Sequence, residues 1–367
     1  MKFLFTVLIF ISYSPSLFSQ SIEIESDPAQ SSFSDNTFSA GDGTVIVSGN
    51  QFVLGSAQIA NPEAWSFSSS NRRASFLQRS NGINLMSYNA EGDLFIERAL
   101  QFFTPSDNTI NTYQFDNGDI VLRDNVANFT FLNAKGETSY QVSNSSGSTD
   151  GEQESQLASN PFGSTIVLYN PVIAYGPETG SRAQIVYGEQ DTDLFFNSRE
   201  DEIRDVRISE SGGFITLVTA GAGGHTATVY DRFGNELFQQ TSDEDLIGAT
   251  LNTDSTHLTI YSSGRVQVYE ILSGNRLGSA SSRSSILFAG YDPEAQTIIA
   301  LGGSQSGMTI EEPEITAVSI SELEIAREDV PFSISTLNID RVALSVTGSN
   351  SYSISGLNRN LLVDVVF

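Results

Sequence analysis

The sequence predicts an all-β chain of repeated four-stranded units, and three observations carry that prediction. Apolar and polar residues alternate in short runs from residue 36 to the end, as in Phe214 to Thr219 (FITLVT), Arg265 to Tyr269 (RVQVY) and Asp119 to Leu122 (DIVL). The runs are broken by Gly, Asn, Asp or Ser, the residues that turns require. Beyond the N-terminal twenty residues, no long stretch holds the three-four spacing of an amphipathic helix.

The units recur at a period of about 45 residues, that of a four-stranded propeller blade. Residues 203–238 and 248–277 align as strand, polar turn, strand, Gly-containing turn, and a third strand ending in Tyr230-Asp231 or Tyr269-Glu270. A Gly-Asn turn (Gly234-Asn235, Gly274-Asn275) and a fourth strand follow in each. Residues 111–140 fit the same frame, with turns at Asp116 to Asp119 and Lys135 to Glu137. So do residues 65–96, with Asn81-Gly82 and Glu91 to Asp93. Weaker copies begin near Ser155, Ser285 and Pro331, which makes seven blades the first expectation. Residues 36–58 hold further strand-like sequence and leave eight open. One such unit has no partner for its faces, so a closed ring is expected. Ser21 to Ser26 (SIEIES) and Leu361 to Phe367 (LLVDVVF) are the candidates for closing it. The expected divisions are an export signal over 1–21, an N-terminal extension with strands over 22–60, and the propeller over 61–367.

With these motifs in view, residues 60–367 resemble degenerate WD-repeat or quinoprotein-like propeller blades. Tyr230-Asp231 and Tyr269-Glu270 stand where that family has Trp-Asp, and Ser209 to Phe214 resembles its Ser-Pro-Asp-Gly turn. No unit opens with the family's Gly-His dipeptide, the one such pair being Gly224-His225 at the start of a third strand, and Trp65, the single Trp, lies in a first strand. The resemblance therefore implies architecture and a rigid binding platform, with no functional residue carried over. The repeated Trp motif that goes with a quinone cofactor is missing too.

Composition narrows the function classes. The 367 residues include 44 Asp and Glu against 18 Lys and Arg, for a net charge of −26. Such a surface is repelled by phosphate backbones and anionic lipids, which argues against nucleic acid and membrane partners. Zero Cys removes disulfides, thiolate metal sites, a cysteine nucleophile and a lipid-modified cysteine. Lys2 and Lys135 are the only lysines, and this Arg-biased, acid-rich composition suits a saline habitat or selection for solubility. Lys2, the apolar run Phe3 to Ile11 and the small residues Ser14, Ser16, Ser19 and Ser21 read as an export signal. That run is well short of the roughly 20 residues of a membrane span. A soluble, monomeric, periplasmic or extracellular protein is expected.

Few residues suggest catalysis. His225 and His257 lie on strands of neighbouring units and read as ordinary strand histidines. GGSQSG (Gly302 to Gly307) puts Gln305 where a nucleophile elbow needs Ser, and GAGG (Gly221 to Gly224) leads into a strand instead of a helix. The acids form the one pattern left. Asp107, Asp150, Glu152, Glu154, Glu200, Asp201, Glu202, Asp243, Glu244, Asp245 and Asp329 are assigned to links between units. Asp124, Glu178, Glu311, Glu312 and Glu314 are assigned to turns on the same face, with Arg72, Arg73, Lys135, Arg232 and Arg341 opposite. The expected ligand or partner face is Glu200 to Glu202 with Asp243 to Asp245. Its occupant would be a protein, a cationic ligand or calcium, although no complete calcium loop is present. The leading expectation is an exported, non-enzymatic binding scaffold with no cofactor. The alternatives are an exported calcium-assisted enzyme acting on a glycan or phosphate ester, and a periplasmic assembly factor.

Overall fold

A computed structural model describes residues 20–40, 43–100, 110–123, 127–146, 154–188 and 191–367. The proposed export signal, Asp107, Asp124, Asp150 and Glu152 lie outside these residues, apart from its last two positions, Gln20 and Ser21. The described chain forms eight antiparallel sheets built on four strands each; in one of them a short fifth strand, Ile334–Ser335, pairs with Thr309 and Ile310 of the third. They are numbered as blades I (residues 37–60), II (64–100), III (111–143), IV (156–198), V (201–242), VI (246–281) and VII (286–329). Blade VIII takes three strands from 343–366 and its outermost strand from the other end of the chain. There, Ser21–Ser26 runs antiparallel to Leu361–Val366, with Ser21 opposite Val366 and Ser26 opposite Leu361. The two segments singled out for closure thus pair with each other. The sheet beyond the seven expected units is blade I, drawn from the stretch read as extra strand-like sequence.

Strand alternation explains the stacking. On the second strand of blade VII, Thr297–Ser306, Ile298 and Ala300 point into the core shared with blade VI, whereas Ile299 and Leu301 point into the core shared with blade VIII. The second strand of blade III, Ile120–Arg123, divides likewise: Ile120 and Leu122 face blade II and Val121 faces blade IV. A blade buried on both faces needs apolar residues at successive positions, so its middle strands lose the polar alternation that its outer strand keeps.

Seven apolar clusters result, one for each neighbouring pair from I–II to VII–VIII. The largest aromatic group is in I–II, where Phe52 meets Phe76 edge-on at 5.2 Å and Phe67 meets Phe76 at 6.0 Å. The VIII–I junction has no such cluster of its own among the described residues. Met308, from the hairpin of blade VII, and Leu337 reach across to the I–II core. The remainder of the junction is polar: Ser335 Oγ donates to the Asp35 carbonyl, Asn358 Nδ2 to Ser34 (3.2 Å) and the Arg359 guanidinium to Phe33.

Three of the turns between third and fourth strands share a side-chain clasp. Asn89 donates to Asp93 (3.0 Å) in blade II, Asn133 to Glu137 (2.9 Å) in blade III, and Asn235 to Asp231 (2.8 Å) in blade V. The fourth turn residue in each is glycine; Gly234 sits at φ +81° and lies against Phe195 of blade IV, leaving no room for a Cβ. The Asp231 carboxylate also accepts the amides of Phe233 (2.8 Å) and Asn235 (2.9 Å). Burial pushes this carboxyl up, but those hydrogen bonds outweigh it and hold its pKa below the ordinary value. A depressed carboxylate stabilises the fold above its unfolded pKa, about 3.9, and ceases to do so as pH falls through the folded value. Asp231→Ala should therefore cost about 1 kcal/mol at neutral pH. In urea titrations repeated across pH, that deficit should shrink below about pH 4; a deficit that is constant with pH would refute the clasp.

Candidate functional site

Each innermost strand starts at the face that carries the blade-to-blade links, here the upper face. Of the six predicted acids, Glu200, Asp243, Glu244 and Asp245 sit on the two links flanking blade V, and Asp201 and Glu202 open its innermost strand. The structure brings them to one side but divides them by use. Asp201 lies within the innermost strand of blade V, Asp201–Ile208, and accepts from Ser198 Oγ at 2.7 Å. Glu202 is half-buried and stands 3.4 Å from Arg204. Glu244 holds Arg265 at 2.8 Å and Ser262 at 3.0 Å. Glu200, Asp243 and Asp245 are exposed, with Asp245 3.4 Å from His225 Nε2.

Other assignments shift. Glu311, Glu312 and Glu314 lie within the third strand of blade VII, Thr309–Ser319, because its hairpin is longer than a turn-by-turn reading allows. Asp329 ends the outermost strand of that blade, opposite Glu314. Glu154 is spent on Arg123, 2.5 Å away. Lower turns carry carboxylates as well, among them Asp93, Asp119 and Asp231, each bound to its own turn. The upper acids are thus set apart by exposure at adjacent links rather than by number. His257 bonds Thr256 at 2.8 Å, and burial lowers its pKa in spite of Glu270.

Arg341 starts from the link side of blade VIII, and its side chain reaches the far end of the innermost strand of blade II. It belongs to a 3-10 turn, Ile339–Arg341, that precedes the innermost strand of blade VIII, and its Nη1 donates to the Ser68 carbonyl of blade II at 3.0 Å. Burial lowers its pKa, while Asp116 and Asp340 oppose that change. Next to it, Asp340 stands 3.7 Å from Arg207 of blade V. Arg207 Nε is 3.0 Å from Asp205, two residues earlier on the same strand and so on the same face. Asp205 also accepts the Ala249 amide of blade VI at 3.2 Å. Burial pushes the Asp205 carboxyl up, with Arg207 pulling the other way. Burial works against the Arg207 charge, yet Tyr261, Asp205 and Asp340 raise its pKa overall. Polar groups from blades II, V, VI and VIII therefore meet around the central channel and tie together blades that are not neighbours.

Sequence reasoning missed this network. Its only local signal is the Asp-x-Arg spacing of Asp205 and Arg207 and the adjacent Asp340-Arg341 pair. Among the described residues, no three His, Asp or Glu side chains stand together as a group that could hold a metal ion. No described helix is long and apolar enough to cross a membrane.

No protein-family model matches the chain, and no curated protein does. Solved structures do. BamB from Moraxella catarrhalis is similar with a TM-score of 0.51 and 12% identity, over 94% of this chain and 98% of that one. The C-terminal WD40 domain of Sif2 is similar at TM-score 0.48 and 11% identity, over 91% and 94% of the two chains. Sqt1 from Saccharomyces cerevisiae is similar at TM-score 0.48 and 12% identity, over 80% of each. The resemblance found in the repeats holds at the level of architecture: the chain is a β-propeller of four-stranded antiparallel blades.

Proposed function

We propose that this propeller is an exported, non-enzymatic binding scaffold that engages a cationic partner through its link face. The observation that carries the proposal is the exposure of Glu200, Asp243 and Asp245 on adjacent links of a rigid ring. Carboxylates held on well-packed blades cost little to order on binding, and their field steers a basic partner toward them. Export rests on the Lys2 to Ile11 pattern and on an acid-rich, cysteine-free chain.

The test separates surface charge from folding. The triple variant Glu200→Lys, Asp243→Lys and Asp245→Lys leaves Asp201, Glu202 and Glu244 with their internal bonds. A partner isolated with the wild-type protein as bait should bind this variant at least about tenfold more weakly at low salt, a loss of some 1.4 kcal/mol. The difference should narrow as salt rises. Unchanged affinity would overturn the assignment. A rise in melting temperature with millimolar calcium, reversed by EDTA, would instead favour the calcium-assisted alternative.

A further inference from the structure

The opposite, lower rim carries a surface that the proposed function does not use. Six large apolar residues alternate around it from blade IV to blade VII. Leu237 and Leu277 lie at the lower ends of successive outermost strands and Leu194 midway along the one before, and Phe233, Leu272 and Leu323 sit in successive third-to-fourth-strand turns. The turns lean onto the preceding blade: Gly234 rests on Phe195, Gly274 on Phe238, and Ile320 covers Gly278. Tips and strand residues therefore follow one another from blade to blade around the rim. Leu272 is 96% exposed and Leu323 85%, while Phe233, 55% exposed, is covered on one face by Arg232.

The turn itself does not require apolar tips. In blades II and III the residue before the turn glycine, the place of Phe233 in blade V, is Glu91 or Lys135, both exposed, and the same clasp forms. Apolar side chains on a polar, acid-rich chain thus have no structural cause here, and contiguous exposed apolar surface marks an interaction site. Carboxylates flank each tip: Asp231 and Glu236 beside Phe233, Glu270 beside Leu272, Glu322 and Glu324 beside Leu323. Arg232 and Arg276 are the cations of these turns, and Arg232 lies over the Phe233 ring at 4.8 Å. This charge repels anionic lipid and a second copy of the same strip, and it complements a basic partner.

We infer that the lower rim of blades IV to VII docks a protein segment bearing both apolar and basic side chains. The apolar tips enter the partner's apolar surface while the flanking carboxylates meet its Lys or Arg. Outermost strands also offer free edges along which an extended segment can pair.

The experiment uses the full chain and a synthetic peptide alternating Leu with Lys, compared with one alternating Ser with Lys. The wild type should bind the Leu-Lys peptide at least about tenfold more tightly than its Ser-Lys counterpart. The variant Phe233→Ser, Leu272→Ser and Leu323→Ser should lose that preference and keep the wild-type melting temperature. Equal binding of both peptides, or a preference that survives in the variant, overturns the proposal. Variant-sensitive binding to phosphatidylcholine vesicles would assign the strip to a lipid surface instead. Variant-sensitive self-association in sedimentation equilibrium would assign it to a second copy. Either result would also overturn the proposal, and none of these readouts involves Glu200, Asp243 or Asp245.

Discussion

Arg207→Met should destabilise the protein by about 3–5 kcal/mol, because it strands Asp205 in the channel without its counter-charge. Asp205 is 9% exposed and keeps the Ala249 amide as a donor, which does not replace a guanidinium at 3.0 Å. The loss should depend on pH in a definite direction. Asp205 already has a raised pKa in the folded protein, and removing Arg207 raises it further. A carboxyl with a raised folded pKa favours the native state in acid and loses that contribution as pH rises through the folded value. The deficit of the variant should therefore be largest at neutral pH and smaller near pH 5. Urea unfolding at both values measures this. The double variant Asp205→Leu, Arg207→Met should recover much of the loss, since a pair removed together leaves no lone charge. A double variant no better than the single one would show that the network does not act as an ion pair.

Deleting Ser21–Ser26 should have an effect of similar or larger size. The deletion removes six register pairs with Leu361–Val366 and uncovers the apolar core in which Ile22 is buried at 6% exposure. Burial of one such side chain accounts for about 1.5–3 kcal/mol, and lost strand hydrogen bonds add about 1 kcal/mol each. Deletion should thus cost on the order of 5 kcal/mol or more and expose a raw strand edge prone to self-pairing. A synthetic SIEIES peptide added in trans should raise the melting temperature of the truncated protein, whereas a peptide carrying Lys at the Ile22 and Ile24 positions should not. Unaltered stability after deletion would mean that the ring does not depend on this strand.

The parts of the fold that could be read in the sequence are those written within one blade. Clasp turns such as Asn133 to Glu137 and Asp231 to Asn235 need only a short local motif, and they marked blades II, III and V, while the Gly274-Asn275 turn marked blade VI. Alternating apolar strands gave the all-β class, and the two terminal segments were recognisable as strands lacking a unit of their own. Blade I was only half legible, because its strands are four to six residues long and none of its turns repeats the clasp. For the site, Glu200, Asp243, Glu244 and Asp245 lie in the links flanking blade V, whereas Asp201 and Glu202 begin its innermost strand. Which of them remain exposed depends on partners such as Ser198 and Arg265, whose approach is a matter of packing. The contact of Arg341 was illegible for a related reason: its acceptor Ser68 is 273 positions away in the chain.

The polar VIII–I junction bears on how the ring comes into being. Blades I to VIII can be laid down as a linear stack, each new blade needing only its predecessor for an apolar face. Closure then waits for Ser21–Ser26 to meet Leu361–Val366, the two ends of the chain. Because the junction is made chiefly of hydrogen bonds from Ser335, Asn358 and Arg359, its two sides stay wettable until that meeting. Seven joints packed on apolar clusters and one made chiefly of hydrogen bonds make the molecule a hoop fastened at one place by polar groups.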